Sequence, residues 1–257
     1  MISAVIIARN EEKHIEECLK SVKWAGEIIV VDNASEDLTV KIAKKLGVKV
    51  YEYEKVASEG HFAEMRNFAI SKARGEWILF VDADEKVTTS LQDEILKVTN
   101  SSGLPSAYAI PRRNILLGHE MHWGGWWPDC VLRLIKKDKL GGFKGELHEQ
   151  PVITGEVGKL KNSLLHTTHE SLSEMVEKTN KWSEIEAKLM YDAKHPPMNV
   201  WRFGTAVFRE FWYRAIVKLG FLDGPIGLIE IIYQCFSRFV SYSKLWELQN
   251  KNASRNF

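Results

Sequence analysis

The run Trp77-Ile-Leu-Phe-Val81, followed at once by Asp82-Ala-Asp84-Glu85, decides how this sequence is read. Five uncharged residues rich in branched and aromatic side chains have the length and composition of a strand buried on both faces. Two carboxylates at i and i+2 just past such a strand suit a magnesium or manganese ion. Such an ion takes one or two protein carboxylates and completes its octahedron with water and substrate phosphates. A solvated turn would carry the same residues, so the flanking sequence has to choose between the readings.

Upstream, Ser3–Ala8, Glu27–Asp32 and Val48–Tyr53 read as three more strands, each separated from the next by a helical pattern. Ile15, Leu19 and Val22 recur at helical spacing behind Glu11 and Glu12. Ser35 stands as the expected cap of a second helix carrying Val40, Ile42, Ala43 and Leu46, which Gly47 ends. Phe62–Ala73 is the third helix. This alternation predicts an α/β fold with a mainly parallel sheet and covering helices. Open sheets of that kind bind ligands beyond the carboxyl ends of their strands. Three polar clusters occupy those ends: Ala8-Arg-Asn-Glu11, Asp32-Asn-Ala-Ser35 and Asp82-Ala-Asp84.

Downstream, a helix over Thr88–Val98 leads to strands at Tyr108–Arg112 and Val131–Ile135, with a loop rich in Gly, Trp and His between them. From Ser171 the chain turns helical. Ser171-Leu-Ser-Glu174 has capping-box spacing, and His195-Pro-Pro197 stops the helix it opens. We therefore expect a first domain over residues 1–170, with a nucleotide-binding half at 1–98 and an acceptor half at 99–170. A helical extension follows at 171–257.

Charges nearly cancel, with 35 basic against 34 acidic side chains, so no field argues for nucleic acid as the main partner. Cys18, Cys130 and Cys235 lack the paired spacing of a zinc site or a disulfide framework, which fits a reducing, cytoplasmic setting. The apolar start at Met1–Ala8 is too short for a signal peptide, and no uncharged apolar run is long enough to span a membrane.

Val5-Ile-Ile-Ala-Arg-Asn-Glu-Glu12, Glu27-Ile-Ile-Val-Val-Asp-Asn-Ala-Ser-Glu-Asp37, Arg66-Asn67 and Val81-Asp-Ala-Asp84 resemble, in order and spacing, successive motifs of family 2 glycosyltransferases. Asp129-Cys-Val-Leu-Arg-Leu134, Leu147-His-Glu149, Leu165-His166 and Gly220-Phe-Leu-Asp-Gly224 resemble the branch that holds lipopolysaccharide-core β-1,4-glucosyltransferases. The resemblance implies the GT-A fold and inverting transfer from a nucleotide sugar, a UDP sugar by family habit. It implies a divalent metal, Mn2+ or Mg2+, and a saccharide or glycolipid acceptor in cell-envelope glycan synthesis. By the same resemblance Asp32 would bind the nucleobase, Ala8, Asn10 and Glu11 would line the nucleoside pocket, and Arg66 would contact the nucleotide. Asp82 and Ala83 would meet the ribose side of the donor, and Asp84 the metal.

Inversion needs a base for the acceptor proton, and a positioned carboxylate is the usual choice. The family's Glu-Asp pair is absent here, and His148-Glu149 stands in the comparable place. Glu149 is the candidate, with Asp129 and Glu146 as competitors. His166, after a short apolar run, either completes the metal site, donates to the diphosphate, or is structural. Trp123, Trp126 and Trp127, beside Asp129, suit stacking on a sugar ring, or else fill a core between domains. Over Trp201–Leu222 an aromatic face (Trp201, Phe208, Trp212, Ala215, Leu219) opposes a largely basic one (Arg202, Arg209, Glu210, Arg214, Lys218). Such a helix lies at the cytoplasmic membrane face or packs on its own domain.

Two rivals lose ground on the first loop. A sugar nucleotidyltransferase or a dinucleotide oxidoreductase would carry glycines after the first strand, where Ala8-Arg-Asn-Glu-Glu12 has none. A catalytically inactive sugar-binding protein of the same fold would not need Arg66, Asp82 and Asp84 together.

Overall fold

The computed structural model describes residues 1–53, 62–101, 103, 105–145 and 149–253. The chain forms two compact units, one of residues 1–113 and 129–166, the other of residues 114–128 and 167–257.

In the first unit, β1 (Ile2–Ala8), α1 (Ile15–Ser21), β2 (Glu27–Asp32), α2 (Thr39–Lys45), β3 (Lys49–Glu52), α3 (Phe62–Lys72) and β4 (Trp77–Asp82) alternate as the sequence predicts. The first four strands lie in the order β3-β2-β1-β4 and pair in parallel. Alternate residues of β1 serve opposite faces: Ala4 and Ile6 pack with Ile15, Cys18 and Leu19 of α1, and Val5 packs with Met65 and Ala69 of α3. Burial on both faces is why these strands read as unbroken apolar runs.

Register then does the positioning. Ala8 lies opposite Asp32, Ile7 opposite Asp82, and Asp32 opposite Glu52. The three polar strand ends therefore sit side by side at one edge of the sheet.

After β5 (Glu85–Val87) and α4 (Thr89–Thr99), the long strand β6 (Ala107–Leu116) leads into the short β7 (His119–Glu120) and then β8 (Asp129–Lys136). Strand β8 runs antiparallel to both β4 and β6, which converts the parallel sheet into a mixed one. A hairpin of β9 (Leu140–Lys144) and β10 (Gln150–Ile153) follows, then β11 (Val157–Lys159) and β12 (Leu164–His169). Strand β12 pairs antiparallel with β5 and sets His166 opposite Glu85.

Two local expectations are corrected. Helix α2 starts at Thr39 with no side-chain cap. Ser35 Oγ instead accepts a hydrogen bond from the Asn10 amide (2.9 Å), and Asp37 accepts from the Thr39 amide (2.9 Å). Likewise Glu11 and Glu12 precede α1 and bind α2's entry: the Glu11 amide donates to Thr39 Oγ1, and the Leu38 amide donates to Glu12 Oε2. Side chains that would cap a helix here stitch two loops together.

The second unit holds α5 (Leu172–Asp192), α6 (Val200–Phe211) and α7 (Gly224–Ala253). Ser171 caps α5 as expected, its Oγ accepting from the Glu174 amide at 3.1 Å. The expected single helix over Trp201–Leu222 breaks instead. Helix α6 gives way to a π-turn at Trp212–Val217 and a 3-10 turn at Gly220–Asp223, with Leu219 in the left-handed region.

The tryptophan loop groups with these helices rather than with the first 170 residues. Asp223 is buried and accepts from the amides of His122 (3.1 Å) and Trp123 (2.8 Å), and the Gly124 amide donates to Lys218 O. A Cβ on Gly220 would come within 3.0 Å of Gly124 Cα, so the Gly-Phe-Leu-Asp-Gly segment is the seat of that loop.

Candidate active site

At the carboxyl edge of β1, β2 and β4 in the first unit, a chain of alternating charges connects four of the residues singled out on sequence: Arg66, Asp82, Asp129 and Glu149. Arg66, on α3 and 9% exposed at its side chain, donates from Nη2 to Asp82 Oδ1 (3.1 Å) and pairs through Nη1 with Glu149 Oε1. Arg133 of β8 binds Asp82 through both terminal nitrogens and donates to Glu85 Oε1 at 2.8 Å. Arg112 of β6 reaches Glu85 Oε1 (3.3 Å) and closes on Asp129 Oδ2 (2.7 Å). Four carboxylates and three guanidiniums thus run Asp129–Arg112–Glu85–Arg133–Asp82–Arg66–Glu149.

The network governs ionisation. Burial would raise the Asp82 pKa, but Arg133 and Arg66 outweigh it and hold this carboxyl well below the usual carboxylate range. Arg133 is itself buried, and Asp82 and Glu85 hold its proton more firmly than usual against that burial. Glu85 is wholly buried and accepts the Asp82 amide at 3.0 Å, which fixes the Asp82-Ala-Asp84 turn from beneath.

Ala83 is buried within that turn. Asp84 Oδ2 lies 3.4 Å from His166 Nε2. Among the described residues no cluster of three or more His, Cys, Asp or Glu side chains forms a closed metal cage. One carboxylate with one imidazole fits a magnesium or manganese ion that takes its remaining ligands from water and phosphate, and does not fit an all-protein site.

Asp32 and Ala8 are buried at their strand ends, and the Asn33 amide donates to Ala8 O (2.9 Å). Asp32 Oδ2 accepts from the Ser35 amide (3.0 Å), while the buried Oδ1 has no hydrogen-bond partner among the described residues. A buried carboxylate oxygen with no donor is costly unless something else binds it, which suits recognition of a base edge. Asn10 adopts a positive φ of 55°, and its Oδ1 accepts from the Glu36 amide (2.8 Å), so it shapes the wall of this edge.

Glu149 immediately precedes β10. Asn67 positions the hairpin that carries it: Asn67 Oδ1 accepts from the Phe143 amide (2.7 Å), and Nδ2 donates to Phe143 O (3.0 Å). Glu146 and His148 lie outside the described residues. Trp123 and Trp127 belong to the second unit and are each 42% exposed, whereas Trp126 packs with Leu116, Met121 and Met175.

The sequence profile of glycosyl transferase family 2 matches residues 3–116. An uncharacterized glycosyltransferase of Rickettsia bellii is 31% identical over 264 residues, covering 96% of this chain and 86% of its own. This chain is a family 2 glycosyltransferase. The lipopolysaccharide core biosynthesis glycosyltransferase LpsC of Rhizobium meliloti is 27% identical over 270 residues, covering 99% of the transferase and 95% of LpsC.

Among solved structures, the mannosyltransferase PcManGT of Pyrobaculum calidifontis in complex with GDP-Man and Mn2+ superposes with a TM-score of 0.56. Its sequence identity is 16%, over 96% of this chain and 87% of that one. S. aureus TarS 1-349 in complex with UDP-GlcNAc gives 0.50 at 16% identity, over 98% and 92%. The transferase has the GT-A fold.

Arg133, Arg112 and Glu85 were not assigned roles on sequence. The available signal was charge inside apolar strands: Arg112 of β6 stands opposite Asp129 of β8, and Arg133 follows on β8 where the pairing register shifts. Nothing local reveals that the partner of Arg133 is Asp82, 51 residues away.

Proposed function

We propose that this transferase moves a sugar from a nucleoside diphosphate sugar, with UDP as carrier, to a saccharide or lipid-linked saccharide of the cell envelope, with inversion. The ion-paired set Asp82–Arg66–Glu149 beside Asp84 carries this reading. Asp32, with its unpartnered buried oxygen, takes the nucleobase, and Ala8, Asn10 and Glu11 line the nucleoside pocket. Asp82 and Ala83 meet the ribose side. Asp84, with His166 beside it, would hold a divalent cation, which when bound neutralises charge on the diphosphate. The similarity to LpsC supports a lipopolysaccharide-type acceptor.

In the reaction the acceptor oxygen attacks the anomeric carbon from the face opposite the diphosphate. The new glycosidic C–O bond forms as the anomeric C–O bond to phosphate breaks, and the hydroxyl proton passes to a carboxylate. Glu149 is the assigned base. Arg66 bridges Asp82 and Glu149, so charge growing on the departing diphosphate competes with Glu149 for that guanidinium and leaves Glu149 the stronger base. Asp129 is the competitor, held by Arg112. Trp123 and Trp127 offer exposed indole faces for a sugar ring.

Replacing Glu149 tests the assignment. Glu149→Gln keeps the shape but takes no proton, so turnover falls roughly 10²–10⁴-fold with donor affinity nearly unchanged. Asp129→Asn and Glu146→Gln serve as parallel variants. Near-normal turnover in Glu149→Gln would transfer the role to whichever of them collapses.

The second unit also supports work at a membrane face. Trp201, Phe208 and Trp212 are 78%, 61% and 50% exposed, so most of the expected aromatic face is uncovered, and only Ala215 of that set is buried. No described helix is long and apolar enough to cross a membrane, so the association proposed is peripheral.

A further inference from the structure

Helices α6 and α7 leave a groove between them whose walls are Phe203, Val207 and Phe211 on one side and Ile232, Cys235 and Phe239 on the other. Its volume is about 560 Å³ and its lining is almost wholly apolar. Gly204 also faces the groove: a Cβ there would meet nothing within 4 Å. Glycine in a helix interior costs roughly 0.5–1 kcal/mol relative to alanine, and here no packing neighbour demands it. What it leaves open is the groove.

Phe208 is a shared wall. It also lines a second depression of about 480 Å³, where Arg209 and Arg238 stand with one carboxylate, Glu210, beside Trp212 and Tyr242. Arg209 is exposed and makes no ion pair among the described residues. Arg238 is 41% exposed at its side chain and reaches Glu210 only at 3.5 Å, whereas Arg214 holds the same carboxylate at 2.6 Å. An apolar slot therefore adjoins a pocket with an excess of positive charge. That is the layout of an amphiphile with an anionic head.

We propose that this pair of depressions is a binding site for one anionic phospholipid of the bilayer, its acyl chain in the α6–α7 groove and its phosphate at Arg209 and Arg238. The site rests on the membrane-face reading of the second unit but claims more than interfacial adsorption. A lipid held this way is bound one to one, with chain and head recognised separately.

Titrating the full-length protein with dihexanoylphosphatidylglycerol below its micelle concentration, alongside dihexanoylphosphatidylcholine, tests it. Saturable one-to-one binding is expected, with the anionic lipid preferred. Gly204→Leu fills the groove without a backbone clash and should weaken both lipids about tenfold. Arg209→Gln should erase most of the preference for phosphatidylglycerol. Flotation on phosphatidylglycerol vesicles, run in parallel, separates the two claims. Flotation without saturable monomer binding overturns the lipid site and leaves the membrane reading standing; monomer binding without flotation does the reverse. Equal binding by wild type and Gly204→Leu also overturns the site, as does a wild-type dimer that Gly204→Leu dissociates, since that would give the groove to a second copy of the chain.

Discussion

Arg133 is where the site and the stability of the first unit meet. Its guanidinium is buried between Asp82 and Glu85, and removing it would leave two carboxylates without their main counter-charge. Breaking a buried pair from one side costs about 3–5 kcal/mol, so Arg133→Met should lower the unfolding free energy read from urea denaturation by that much. Arg133→Lys should recover only part, because an ammonium cannot span two carboxylates as the planar fork does. The folded pKa of Asp82 is depressed, so the stability it contributes is present above the ordinary carboxylate range and is lost only as pH falls through the lower folded value. Glu230 of α7 is the opposite case. Burial pushes its pKa up to about 7, against the hydrogen bond from Gln234 at 2.6 Å. The folded form then holds a proton that the unfolded chain has released, so α7 loses stability as pH rises from about 4.5 through 7. Glu230→Gln should remove that loss, protecting the α7 amides at pH 8 by roughly 2–3 kcal/mol over wild type in hydrogen exchange, with little difference at pH 4.5. Asp32, Asp82 and Asp84 were legible on sequence because each follows an apolar run. Arg133 and Glu230 were not, because a lone charge in an apolar segment does not disclose what it faces.

At the scale of elements, the caps and joints carry the predictions. The Ser171 cap of α5 is reinforced by Glu174, whose side chain accepts from the Glu170 amide (3.0 Å), pairs with Lys178 and has its pKa lowered to about 2. Ser171→Ala should cost about 1 kcal/mol in denaturant unfolding of the second unit. The contribution of Glu174 should fade as pH falls below the ordinary carboxylate range toward 2. The joint before α7 is tighter. A Cβ on Gly227 would fall 2.0 Å from Gly220 O, so Gly227→Ala should cost about 1–3 kcal/mol and loosen the seat of the tryptophan loop, read as faster exchange at His122 and Trp123. The alternation of β1 to β4 with their helices was readable because period and composition agree there. The break after Phe211 was not, since aromatic and basic residues keep helical spacing straight through the π-turn. Ser35 misled for a related reason: a hydroxyl before a helix is an ordinary cap, and only the neighbouring loop reveals that its partner is Asn10.

For the molecule as a whole, the first unit carries the ion-paired cluster at the strand ends and the second an uncovered apolar face. Removing everything from Trp201 would be a poor test of membrane association, because α7 packs on α5 through Tyr233, whose hydroxyl donates to Met175 O and meets Thr179. Substituting Trp201, Phe208 and Trp212 by serine leaves that packing alone and should abolish flotation on anionic vesicles. Wild-type flotation should weaken with salt, as expected if the cations of α6 contribute. The assignment of the 114–128 loop could not be read from sequence, because its anchor, Asp223, lies about a hundred residues on. In the proposed reaction Asp84 joins a divalent cation to a nucleoside diphosphate at the carboxyl edge of the sheet. Calorimetric titration of UDP tests it most directly, with manganese or chelator, into wild type and Asp84→Ala. Manganese should strengthen binding to wild type by more than about tenfold and barely affect Asp84→Ala. Equal affinity in all four titrations would contradict it.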